Sequence, residues 1–140
     1  MATPPQVRIL APAQSVILSP MAFKFQNQIN YEQLLIFSKD IYNLTGKLPT
    51  YETQGLILDL RQHTSSLLEN YAVGATRTSR ISPLQALDNC ITTIAKIAAL
   101  IDLCHFLKYI SDFAHQQTIS SSEDLTHRLY ESRKSASPPG

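Results

Sequence analysis

Apolar residues recur at helical spacing from Asn30 onward. Leu34, Phe37, Ile41 and Leu44 step by three, four and three residues, Leu35 and Tyr42 widen the stripe, and Lys39 and Asp40 fall opposite it. This predicts a first helix over about 30–45, stopped at Gly46. "KLP" reads as a turn, after which Thr50 is a candidate N-cap with Glu52 in the first turn, where the helix dipole favours an acid. Leu56, Leu60, His63, Leu67 and Tyr71 then share one side of a second helix ending near Gly74. Gly55 would lie about one turn inside it, at a cost of roughly 1 kcal/mol against Ala, so close approach of a neighbouring helix is expected there.

The sharpest boundary is "SPLQ". Ser82 is an N-cap, Pro83 takes the first helical position, where a missing N–H is harmless, and Gln85 can reach back to complete a capping box. Leu84, Leu87, Ile91, Ile94, Ala98 and Ile101 follow, flanked by Cys90, Ile97 and Cys104. So wide a stripe, over 83 to about 109, predicts a helix that is central in its bundle or also faces a neighbouring subunit. A fourth helix ending near 134 carries Leu125 and Leu129. It starts either near Asp112, taking in Phe113 and Ile119, or at a cap formed by Ser120 and Glu123. No segment alternates like a strand. The reading is all-α: an up-down-up-down four-helix bundle over 29–134.

The flanks read differently. Residues 1–28 hold Pro4, Pro5, Pro12 and Pro20 between the short apolar clusters "VRIL" and "SVIL", which excludes a long helix. They are read as a Pro-rich leader or as an extended arm docking on another surface, with Met21 a candidate natural start. Residues 135–140 read as a disordered tail.

Composition narrows the function. The 140 residues make one domain by size, and the formal net charge of +1 gives no bulk attraction to a polyanion. Fourteen residues of helix separate Cys90 from Cys104 by roughly 21 Å, far beyond disulfide reach, so both read as buried free thiols in a reducing cytoplasm. No apolar run approaches the ~20 residues of a membrane span. His63, His105, His115 and His127 look scattered, without the paired spacing of a metal-binding bundle, and there is no phosphate-binding glycine loop or nucleophile elbow. The expectation is no enzyme, no cofactor and no metal. The remaining candidates are cations: Arg77 and Arg80 in one polar loop, and Arg128, Arg133 and Lys134 near the C-terminus. Symmetry could converge them into a ring that meets a phosphate backbone. Arg61 has two readings: its head pairs with an acid such as Asp40 or Glu69, or it faces a ligand.

The ordered set Tyr42, Leu44, Thr45, Pro49, Glu52, Gly55, Leu56, Leu60, Arg61, Ser66, Asn70, Ala72 and Gly74, with "LKYIS" at 107–111, resembles the 23S rRNA intervening-sequence proteins. These are small four-helix bundles, similar to the accessory variability determinants of diversity-generating retroelements. The resemblance spans about residues 23–134. It implies a non-enzymatic homo-oligomer assembling into a symmetric ring, a pentamer in the retroelement branch, that binds structured RNA and/or a reverse transcriptase through basic surfaces. Arg61, Arg77, Arg80, Arg128, Arg133 and Lys134 are the nucleic-acid candidates. The alternative is a protein–protein scaffold without nucleic acid.

Overall fold

The periodic stripes do fold as helices in the computed structural model, which describes Phe25, residues 28–76 and residues 80–136. Among the described residues the α-helices are α1 (Ile29–Thr45), α2 (Leu56–Gly74), α3 (Pro83–Phe106) and α4 (Asp112–Ala136), with a 3₁₀ turn at Thr50–Glu52 and no strand. Consecutive helices pack on one another and α4 closes on α1, giving the up-down-up-down order. The bundle therefore has two ends. One gathers the start of α1, the end of α2, the start of α3 and the end of α4; the other gathers the α1–α2 loop and the α3–α4 turn.

Leu34, Phe37, Ile41, Leu60, Leu67, Cys90, Ile94, Ile97, Ile101, Cys104, Leu125 and Leu129 make up most of the core. α3 packs on both α2 and α4, which accounts for its wide stripe. Leu35 and Tyr42 do not widen the buried face of α1, being 43% and 40% exposed; Ser38 and Thr45 point inward instead. In α2, likewise, Thr64 takes the fully buried position and His63 stays half-buried. Each of the buried hydroxyls bonds back to its own helix: Ser38 to Leu34 O, Thr45 to Tyr42 O, Thr64 to Leu60 O, Thr93 to Asn89 O and Ser122 to Thr118 O. A short hydroxyl that satisfies itself in this way enters a core without an unpaired polar group.

Several boundaries differ from the sequence reading, each for a local reason. Thr50 opens only a 3₁₀ turn, and α2 begins at Leu56 with Gly55 as its N-cap. Ser82 caps α3 as expected, its Oγ accepting the Gln85 N–H at 3.1 Å. Gln85 does not complete the box, because its side chain donates to Asn89 Oδ1 at 3.0 Å. α3 ends at Phe106 rather than about 109 because Lys108 turns left-handed, at φ 65°. Tyr109 N–H then reaches Cys104 O and Lys108 N–H reaches His105 O, both at 2.9 Å, a Schellman closure with lysine where glycine is usual. α4 begins at Asp112, with Ser111 Oγ accepting the Ala114 N–H at 3.1 Å, so Ser120 and Glu123 are interior residues. Ile119 packs on the core, but Phe113 is 72% exposed.

The flanks change as well. Phe25 is buried with its ring edge-on to Tyr31 at 5.0 Å, so the core starts before residue 29. α4 continues through Ala136, two residues into the segment read as tail. Residues 1–24 and 137–140, which carry the rest of the leader and tail readings, lie outside the described residues. No helix among the described residues is long and apolar enough to cross a membrane.

Candidate functional site

The predicted cations separate into two kinds. Arg61, on the second turn of α2, is half-buried and held within the fold. Its Nε donates to Thr45 Oγ1 at 2.8 Å, and its guanidinium lies 4.8 Å above the Tyr42 ring. The partner is thus a buried hydroxyl and an aromatic face rather than Asp40 or Glu69, an arrangement suited to a planar guanidinium. Arg133 is also engaged, its Nε 2.5 Å from Asp88 Oδ1 and its Nη2 3.4 Å from Oδ2, which ties α4 to the second turn of α3. The hydrogen bond and charge of Asp88 favour its charged form.

Arg80, Arg128 and Lys134 are exposed. Lys134 Nζ lies 3.5 Å from Glu131 Oε2, one turn back on its own helix, a weak exposed pair. Arg128 borders a shallow cleft between α1 and α4 that also contains Asp40 and Asp124. Arg80 lines a cavity of about 790 Å³ at the same end of the bundle as the close of α4, where Ser132 lines it too. The fold thus brings Arg80, Arg133 and Lys134 to one end and leaves Arg61 towards the other. Arg77 lies outside the described residues.

The opposite end holds groups that the sequence reading did not connect. Glu52 accepts the Leu56 N–H at 3.2 Å through Oε1, capping α2 where glycine supplies no side chain, and accepts the Tyr109 hydroxyl at 3.0 Å through Oε2. A Cβ on Gly55 would lie 2.6 Å from Glu52 Oε1. What a side chain at Gly55 would crowd is this capping carboxylate, not a neighbouring helix. Tyr109 is the residue that closes α3, so a single carboxylate fastens the α1–α2 loop to the α3–α4 turn. Glu52→Ala should lower stability by about 1 kcal/mol, and Gly55→Ala should be less harmful in that background than in the wild type. Equal costs in chemical denaturation would show that the carboxylate is not what Gly55 makes room for.

Beside this clasp, His105 and His115 stack with ring centroids 4.0 Å apart and planes 4° apart. His105 Nε2 lies 2.6 Å from Asp112 Oδ1, and His115 Nε2 lies 2.8 Å from Asp102 Oδ1. These two histidines are paired, not scattered as the sequence reading had them. The missed signal is the repeat of Asp-x-x-His in "DLCH" and "DFAH" on adjacent antiparallel helices. Among the described residues no group of three or more His, Cys, Asp or Glu side chains is arranged to hold a metal ion. Around the pair, Phe106 and Phe113 are 83% and 72% exposed, with Leu103 and Leu107 also open to solvent.

No protein-family model, no curated protein and no solved structure matches the chain.

Proposed function

We propose that the chain is a non-enzymatic adaptor: a homo-oligomeric helical bundle, ring-shaped and cytoplasmic, that binds structured RNA and/or a reverse transcriptase. The observation that carries this reading is the gathering of Arg80 and Lys134, both exposed, at the end of the bundle where Asp88 orients Arg133. Repeated around a symmetric assembly, such a rim presents several cations to one phosphate backbone, although each subunit has little net charge. The resemblance to the intervening-sequence proteins and retroelement accessory determinants points the same way. Arg61, bound by Thr45 and Tyr42, serves the fold in this reading.

Binding of a structured RNA should weaken steeply with salt. Arg77→Ala/Arg80→Ala and Lys134→Ala should each weaken it and flatten the salt slope by roughly one unit per lost phosphate contact. Arg61→Ala should reduce stability while leaving affinity unchanged. RNA affinity that is insensitive to the rim substitutions would remove the assigned surface.

A second reading, a protein–protein scaffold, is favoured by the exposed Phe106 and Phe113 at the other end. Light-scattering mass of a Phe106→Ser/Phe113→Ser variant, with and without RNA, separates the two. Loss of oligomer alone implicates the aromatic end, and loss of RNA binding alone implicates the basic rim.

A further inference from the structure

The cavity beside Arg80 is built for something other than a polyanion. It is an open cavity of about 790 Å³, within the roughly 300–1,000 Å³ typical of small-molecule sites. Its walls include Ile29, Tyr71, Ala75, Ile81 and Leu87. Ile29, on the first turn of α1, is 67% exposed, a large aliphatic side chain left uncovered at the mouth. The polar groups around it largely satisfy one another: the Tyr71 hydroxyl donates to Gln28 Oε1, and Asn30 Nδ2 donates to Ser132 Oγ at 2.6 Å. What remains for a ligand is apolar wall and one kind of charge. Among the described lining residues Arg80 is the cation, and none is an aspartate or glutamate.

We infer that this cavity binds a small amphipathic monoanion, a hydrocarbon chain or ring bearing one carboxylate. The apolar part lies against Ile29, Ala75 and Leu87, and the carboxylate meets the Arg80 guanidinium at the mouth. Burial of hydrocarbon supplies the affinity and Arg80 sets the polarity, the usual division in a concave site with few polar anchors. A phosphate backbone would gain nothing from those walls. The site goes beyond the adaptor reading, which uses Arg80 only as a surface charge.

The test is titration calorimetry of the full chain with decanoate, with decylamine and acetate as controls. Decanoate should bind, with decylamine at least about tenfold weaker and acetate undetected, since charge sign and apolar body are both required. Arg80→Ala should weaken decanoate about tenfold. Ala75→Phe, which places a ring in the cavity, should abolish decanoate binding and leave RNA affinity unchanged, so this site and the RNA surface fail separately. A circular dichroism melt establishes that each variant is folded. No decanoate binding to the wild type, equal binding of decylamine, or decanoate binding that folded Ala75→Phe leaves intact would each overturn the assignment.

Discussion

Gly74→Ala should destabilise the bundle by roughly 1–3 kcal/mol, the range for forcing an extra methyl into a packed interface, and Ala86→Gly in the same chain should restore most of that loss. A Cβ on Gly74 would sit 2.0 Å from the Cβ of Ala86, an overlap that no rotamer relieves because neither methyl can turn away. The end of α2 and the first turns of α3 would have to separate. The next atoms that a Gly74 methyl would meet are Ala86 Cα at 3.5 Å and Pro83 Cα at 3.9 Å, both ordinary contacts. Removing the Ala86 methyl therefore makes room without moving backbone. The double variant still carries a glycine inside α3, at about 1 kcal/mol against alanine, so rescue should be large but incomplete. Chemical denaturation of the four members of this cycle reads the coupling directly. Simple additivity would show that the helices approach each other elsewhere.

The same contact shows what the sequence could and could not disclose. Glycine at 74 was legible as a helix end, and it is one; that α3 also comes close to it depends on which residue of α3 lies opposite. The notch was expected at Gly55 because Thr50 looks like the start of a helix. A threonine, an acid two residues later and a glycine after that fit an α-helix cap and a 3₁₀ turn equally well, and only the reach of Glu52 to Leu56 N–H decides between them. Leu34, Phe37, Ile41 and Leu44 were readable because apolar periodicity is the burial signal itself. Ser38, Thr64, Thr93 and Ser122 were not, since a hydroxyl that bonds its own preceding turn is polar by composition and neutral once folded. Among the cations, sequence gave charge and order but not engagement. Arg61 and Arg80 are alike as letters, yet one lies over a tyrosine ring and the other opens on a cavity. The two Asp-x-x-His segments needed a turn of known geometry before their rings could be seen to stack.

Raising the pH should unfold this protein more sharply than its near-neutral charge suggests, because the groups that resist ionisation in the fold are thiols and phenols. Burial alone pushes Cys90 up to about 12 from an ordinary 9.0. Cys104 rises to about 11, through burial first and then the nearby Glu52 charge, partly opposed by a backbone hydrogen bond. Tyr71 rises to about 12 from 10.0, through burial and then the Cys90 charge. All three folded values lie above the unfolded ones, so the folded chain holds its protons more tightly. Their contribution to stability is complete below pH 9 and is lost as the pH climbs through 9 to 12. Cys90, the group raised furthest above its ordinary value, supplies the largest part. The total loss is on the order of a few kcal/mol across that range. Guanidinium midpoints should hardly move below pH 8 and should then fall steadily through pH 10 and 11. Cys90→Ala/Cys104→Ala should start less stable, because two buried side chains are truncated, yet decline less steeply, because alanine has no proton to lose. Native thiols should also react with an alkylating reagent only as fast as the bundle opens, since a protonated buried thiol is a poor nucleophile. If the double variant matches the alkaline slope of the wild type, the buried thiols are not what couples this fold to pH.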